Sequence, residues 1–251
     1  MKQLIKWRKT SVDEKMRINK YLSAAGFCSR READRLLEAG RITIDGVPAE
    51  MGAQVYPGQK VCVDEKLVGQ TEERVIIAFH KPEGIVCTSS KKDENNIIDY
   101  IDYPTRIYPV GRLDKDSKGL ILLTNDGELT DRILRGRNGH EKEYIVTVNK
   151  PIKKEVLKAM TQGVPILDTI TRPCQIVRLN DRCFRIILTQ GLNRQIRRMC
   201  EYFGYRVVSL ERIRIMNIML GDLPEGKWRH VSGEELEQLE NALKGQKFYN
   251  E

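Results

Sequence analysis

Apolar positions near the start of the chain form two short helical stripes, then alternating pairs. Ile18 to Ala25 carries a helical pattern that stops at Gly26. Ser29, with Glu32 three residues on, is a capping box. The helix it opens puts Ala33, Leu36 and Leu37 on one face before Gly40 ends it. Arg30, Arg31 and Arg35 lie off that face, available to solvent or phosphate. Arg41–Asp45 then alternates around Ile42 and Ile44 into an Asp45-Gly46 turn. Val55 precedes a Pro57-Gly58 turn, and Val61 and Val63 alternate after it. Residues 17–68 thus read as a compact helix-helix-hairpin module behind a flexible basic arm, 1–16. The polar, glycine-bearing segment Asp64–Arg74 reads as a linker, with 69–74 as the stretch between the two domains.

From residue 75 the pattern changes. Strand-like stretches at Val75–Phe79, Leu120–Thr124, Tyr144–Val148 and Phe184–Leu188 interleave with helical patterns at Thr130–Leu134, Lys153–Met160, Arg194–Phe203 and Glu234–Leu243. The last helix has Ser232 and Glu235 as a second capping box and Leu236, Leu239 and Leu243 as a core stripe. The fold class is therefore α+β: the small helix-helix-hairpin domain is followed by a larger mixed-sheet domain, 75–244, and a tail, 245–251.

Charge adds a partner class. The 251 residues carry 43 Lys and Arg against 35 Asp and Glu, a net charge of +8. That excess points to a polyanion, nucleic acid first. With Arg17 and Lys20 beside the arginine-bearing second helix, the small module reads as RNA-binding rather than as an ordinary α+β domain. The N-terminal MKQLIKWRKTSVDEK is basic with no apolar stretch behind it, so no secretory signal is expected. No apolar run approaches the roughly 20 residues of a membrane span. Six scattered cysteines read as reduced thiols of a cytoplasmic protein, without zinc spacing. Three histidines without metal-ligand spacing, and no glycine-rich phosphate loop, argue against metal, nucleotide and redox chemistry.

Two dense stretches could carry chemistry. The first is Gly111-Arg112-Leu113-Asp114-Lys115-Asp116-Ser117-Lys118-Gly119, followed by the apolar Leu120–Leu123 and then Thr124-Asn125-Asp126-Gly127. A calcium loop fails here, since Lys118 would occupy a ligand position and Asn125 the place of the bidentate Glu. Asn125-Asp126-Gly127 reads as a turn, and Asp114 as either a solvated loop carboxylate or a catalytic one. The second stretch is Gln190–Met199, in a region where Leu192–Arg214 holds six arginines against two glutamates. On a helix, Ile196, Met199, Cys200 and Phe203 share the apolar face, and Arg194 and Arg198 lie opposite, where they can meet phosphate. Arg197 falls at the edge, where an arginine either pairs with a carboxylate or snorkels to solvent. Tyr144, opening an apolar strand, either packs on the core or stacks on an unpaired base.

GRLDKDSKGLILLTNDG (residues 111–127) resembles the signature of the RNA pseudouridine synthases of the RsuA-like branch. His80-Lys81-Pro82-Glu83-Gly84, Glu141-Lys142-Glu143-Tyr144 and Gly191–Met199 agree in order, and the small module resembles the RNA-binding domain shared with ribosomal protein S-four. GRLDKDS and GLNRQIRRM are most like the RluF-like enzymes of large-subunit ribosomal RNA. The resemblance implies isomerisation of uridine to pseudouridine, with Asp114 as nucleophile, Arg197 as its ion-pair partner and Tyr144 stacked on the target uracil. It places Arg112 on RNA near the extruded base and Lys81 and Pro82 under the active-site floor. It implies no metal and no cofactor. The expected partner is ribosomal RNA, 23S first, then 16S or a tRNA stem-loop, met by a monomer with no membrane association. Two rivals remain at this point: a non-catalytic RNA-binding ribosome-assembly factor, and a metal-dependent nuclease using Asp114, Asp116, Asp126 and Glu128.

Overall fold

The computed structural model describes residues 15–69, 73–90, 93–134 and 139–244. Most of the expected arm, residues 70–72 of the expected linker and the expected tail lie outside the described residues. The chain divides into two compact units, with the boundary between Arg74 and Val75 and with Pro104–Arg106 grouped with the first unit.

In the first unit, β1 (Met16–Arg17) leads directly into α1 (Ile18–Ala24), and α2 (Arg30–Glu38) follows. Ser29 caps α2 by accepting from the Glu32 amide at 3.1 Å. Then come β2 (Ile42–Ile44), β3 (Val47–Pro48), β4 (Gln54–Val55), β5 (Val61–Val63) and β6 (Lys66–Val68). Four of them form an antiparallel sheet in the order β3-β2-β5-β6, while β1 pairs β4. Its sheet is larger than a single hairpin. Part of the segment expected as linker is β6, whose Val68 is buried with Ile18, Leu22, Leu36 and Val61. The pattern there is weak because Leu67 stays largely exposed and the turn before it uses left-handed Asp64 and Glu65 instead of glycine.

The second unit is built on a nine-stranded sheet. Its elements run β7 (Ile76–Lys81), α3 (Ile97–Ile101), β8 (Tyr108–Pro109), β9 (Lys118–Thr124), α4 (Gly127–Leu134), β10 (Lys142–Val148) and α5 (Lys154–Thr161). After these come β11 (Pro165–Ile166), β12 (Thr169–Ile170), β13 (Gln175–Arg178), β14 (Cys183–Leu188), α6 (Gln195–Tyr202), β15 (Val207–Ile215), β16 (Ile218–Met219), β17 (Trp228–His230) and α7 (Gly233–Lys244). The order is β13-β14-β10-β15-β9-β7-β17, with β8 on β9 and β16 on β15; β11 and β12 pair separately. All of the sheet's pairings among described residues are antiparallel except β15 with β9.

The central strands are apolar on both faces because both are covered. Leu120 and Leu122 of β9 pack with Leu239 and Leu243 of α7, and Ile121 and Leu123 pack with Ile97 and Ile101 of α3. Ile196, Met199 and Cys200 of α6 join Leu157 and Met160 of α5 against β10 and β14. Asn125-Asp126-Gly127 is more than a turn. Asp126 accepts from the amides of Glu128 and Leu129 at 3.0 Å and so caps α4, which starts three residues before the expected Thr130. The Glu235 carboxylate is held by both Arg229 terminal nitrogens, at 2.6 and 2.8 Å.

The parallel junction decides where β9 begins. Gly119 lies opposite Arg212 with φ +107°, and a Cβ there would stand 2.9 Å or less from the Arg212 N, C and O atoms. Only a residue without a side chain fits. Gly119→Ala is expected to cost at least about 3 kcal/mol, combining strained φ with backbone overlap; an unchanged urea midpoint for unfolding would contradict this close approach.

Candidate active site

Asp114 sits in the loop between Gly111 and β9, and seven hydrogen bonds among the described residues, one of them internal to the loop, hold it in place. The Leu113 amide donates to Cys87 Sγ at 3.4 Å. The Gly84 amide donates to the Lys115 carbonyl at 2.8 Å, and the Ser117 amide to the Asp114 carbonyl at 3.1 Å. Arg197 Nη2 donates to the Asp116 carbonyl at 2.5 Å and to Ser117 Oγ at 3.0 Å. Arg194 grips the Asp116 carboxylate through both terminal nitrogens, at 3.1 and 3.0 Å. That grip, followed by Arg197, holds the Asp116 carboxyl below the usual carboxylate range despite partial burial.

Lys81 supports the same loop at one remove. It is fully buried, and its Nζ donates to the carbonyls of Pro82 at 2.7 Å and Ile85 at 2.9 Å. These bonds fix the turn that presents the Gly84 amide to Lys115. Burial pushes the Lys81 ammonium below its ordinary range.

Above the loop opens a cavity of about 660 Å³, lined by Arg112, Asp114, Lys142, Tyr144, Arg194 and Arg212 among others. Tyr144 and Arg212 are cross-strand neighbours on β10 and β15, and the guanidinium lies over the phenol ring, 6.0 Å from its centre. Asp114 is half-buried, and among the described residues lining the cavity it is the one carboxylate. A carboxylate held still beside an aromatic face and surrounded by cations suits attack on a planar base of a polyanionic chain. No group of three or more His, Cys, Asp or Glu among the described residues could hold a metal ion. The four carboxylates of a nuclease are not assembled, since Asp126 caps α4 and Asp116 is in the arginines' hold. No helix among the described residues is long and apolar enough to cross a membrane.

Residues 75–202 match the RNA pseudouridylate synthase family and residues 16–61 match the S4 domain. The chain belongs to the RNA pseudouridine synthase family. It is 51% identical to the dual-specificity RNA pseudouridine synthase RluF of Escherichia coli K12, over 90% of this chain and 79% of that protein. It is 33% identical to the ribosomal small subunit pseudouridine synthase A of Yersinia pestis, over 88% and 97% of the two chains. A crystal structure of a pseudouridylate synthase superposes with a TM-score of 0.66 at 29% identity, over 89% of this chain and 99% of that one. The protein is an RNA-modifying enzyme of the RluF-like kind.

The synthase brings Asp114, Tyr144, Arg112 and Arg194 to one cavity, while Arg197, Arg198, Lys81 and Pro82 are not in its lining. The arginine roles differ from expectation. Arg197 does not pair with the Asp114 side chain: its Nε lies 3.5 Å from Asp116 Oδ2, and among the described residues the cation within 4 Å of Asp114 is Arg194, at 3.8 Å. The reason is local. Helix α6 starts only at Gln195, so Arg197 rises from its buried first turn onto the backbone of Asp116 and Ser117. Arg194, at φ 50° and ψ 34°, is left-handed and swings across to the carboxylates. The helical projection that set Arg194 opposite the apolar face, free for phosphate, therefore does not apply to it. Arg198 binds the carbonyl and side chain of Asn193. In the S4 unit, Arg17, Arg30 and Arg31 are exposed and Lys20 is half-buried, with no carboxylate within 4 Å among described residues, whereas Arg35 pairs with Glu32.

Sequence reasoning passed over Cys87, Ser117, Lys142 and Arg212. Ser117 and Lys142 stand inside motifs that were read only for their neighbours; Cys87 and Arg212 have no local signal, because sheet pairing and loop packing bring them in. Because Arg197 touches the loop rather than the cavity, Arg197→Ala should lower the single-turnover rate at saturating RNA at least about 100-fold while RNA affinity stays within a few-fold. An undiminished rate would show that the clamp is dispensable.

Proposed function

We propose that the synthase isomerises a specific uridine of ribosomal RNA, 23S by preference, with Asp114 as the nucleophile acting on a base turned out of its stack. The observation that carries this reading is the immobilised Asp114 as the one carboxylate among the described residues lining the cavity, facing the same space as Tyr144. Breaking the N1–C1′ bond, turning the uracil and rejoining it through C5 needs a positioned carboxylate and a surface to hold the free base. Tyr144 serves as that surface, and Arg112 as a phosphate contact beside the cavity. Extrusion of the uridine costs a few kcal/mol, which phosphate contacts and stacking offset. The exposed Arg17, Arg30 and Arg31, with half-buried Lys20, add a second basic surface on the S4 unit, which makes binding salt-dependent.

Support for ribosomal RNA comes from the S4 match and from the relative named for the ribosomal small subunit. The large subunit is preferred because GRLDKDS and GLNRQIRRM follow the RluF-like wording and the RluF proteins are much more similar than the small-subunit enzymes. The dual specificity in the RluF name accords with a second substrate, for which a tRNA stem-loop is the natural candidate. We place the enzyme in the cytoplasm, as a monomer.

The test is tritium release from 23S, 16S and transfer RNA labelled at uridine C5, since forming the C–C bond expels that hydrogen. The native enzyme should release tritium from 23S RNA, and Asp114→Asn should release none while still binding. Release by Asp114→Asn at a rate within tenfold of native would remove Asp114 as nucleophile. Release only from 16S or transfer RNA would move the substrate.

A further inference from the structure

Strand alternation sorts the charges of Glu141-Lys142-Glu143-Tyr144. Arg214 binds Glu141 at 2.9 Å and Glu143 at 2.6 Å, and Arg185 approaches Glu143 to 3.5 Å. The carboxylates flanking Lys142 are thus consumed away from the cavity, while Lys142 and Tyr144 line it together. A register shift enforces this separation. Glu143 lies opposite Arg214 but Tyr144 opposite Arg212, so one extra residue on β15, Ile213, sends the two arginines to different faces.

On the cavity side neither Lys142 nor Arg212 has a carboxylate within 4 Å among the described residues. Among the described residues Lys142 Nζ makes one hydrogen bond, to the His140 carbonyl at 3.3 Å. Arg212 is 3% exposed, donates from Nε to the Leu120 carbonyl at 2.6 Å, and its Nη2 has no partner. Arg112, Arg172 and Arg194 add positive charge around the same space, and Asp114, His140 and Tyr144 are its other titratable groups. Two adjacent cations without counter-ions on a partly water-excluded wall are a costly arrangement for the empty enzyme. It becomes favourable when negative charge arrives between them.

We propose that Lys142, backed by Arg212, is a further catalytic residue, whose ammonium receives the negative charge passing to a uracil carbonyl oxygen as the N1–C1′ bond breaks. This rests on the uridine-isomerising reading above. When that bond breaks, its electron pair leaves with the base and spreads over N1, O2 and O4. If Asp114 first adds at C6, the displaced π pair reaches O4 as an enolate. On both routes a carbonyl oxygen becomes anionic. C5 then supplies the pair for the new bond to C1′, the C5 proton leaves, N1 takes up a proton, and the bond Asp114 made to the substrate breaks with its pair returning to the carboxylate, so the product is an isomer of the substrate and the enzyme is restored. A donor that meets charge present only in the transition state accelerates chemistry without tightening ground-state binding.

Burial and the facing Arg212 bring the Lys142 ammonium down to about 8. A lysine lowered in this way is charged below that pH and neutral above it, so a reaction that needs the charge fails on the alkaline side. The experiment is single-turnover kinetics on C5-tritiated 23S RNA, with kcat/KM followed from pH 6 to 9.5. Lys142→Met should lower the saturating rate about 100-fold or more, with the RNA Kd within threefold. Native kcat/KM should fall through a midpoint near 8, and Lys142→Arg should keep at least a tenth of the rate and lose that fall. A Lys142→Met rate within threefold of native would overturn the proposal. So would a weaker Kd with an undiminished saturating rate, which is a phosphate contact, or the same alkaline fall in Lys142→Arg, which assigns the titration elsewhere. No release by the native enzyme from any RNA would overturn the isomerase reading itself; release with intact variants overturns only the role of Lys142.

Discussion

The close approach of Gly119 to the backbone of Arg212 is the constraint on which the site depends. It lets β9 lie parallel to β15 in a sheet otherwise paired antiparallel among the described residues, and it sets the end of the loop that holds Asp114. The same contact brings Arg212, with Tyr144 across from it on β10, next to that loop. The Asp114 loop and the aromatic wall thus meet at one backbone junction between non-adjacent stretches of chain. Every other feature of the site refines the position that junction establishes.

Rigidity of the Asp114 loop comes mainly from contacts to its backbone and its neighbours rather than from a hydrogen bond to the Asp114 carboxylate. Arg197, Cys87, the Gly84 amide and, through the turn it fixes, Lys81 hold the chain on either side of Asp114, and Arg194 is shared between Asp114 and Asp116. Apart from Arg194 at 3.8 Å, this arrangement leaves the Asp114 oxygens open to substrate among the described residues while the loop is kept from moving. Orientation prepared in advance is worth several kcal/mol in a reaction of this kind. The lining of the cavity is cationic with one carboxylate among its described residues, suiting a polyanionic substrate.

Much of the fold could be read from the chain. The apolar runs Ile76–Phe79 and Leu120–Leu123 announce strands covered on both faces, and Ser29 with Glu32 announces the start of α2. β15 could not be read because Val207–Ile215 alternates irregularly: Glu211, Arg212 and Arg214 interrupt it and its bulge breaks the period of two. Helix α3 is too short for a periodic signal, and its start depends on an Asn96 cap. Asp114 and Tyr144 were recognisable because their motifs are local in sequence. The partner of Arg197 was not, because a helical projection gives the direction of a side chain on its own helix and says nothing of which oxygen of a distant loop it will meet.

Arg197 holds the backbone of the Asp114 loop through the Asp116 carbonyl and Ser117 Oγ. Amide hydrogen exchange of the native enzyme and of Arg197→Ala tests it most directly. In the variant, exchange should speed up by about tenfold or more at Leu113 and Ser117, whose amides brace the loop, while protection along β9 and β10 is unchanged. Unchanged protection at Leu113 and Ser117 would contradict it.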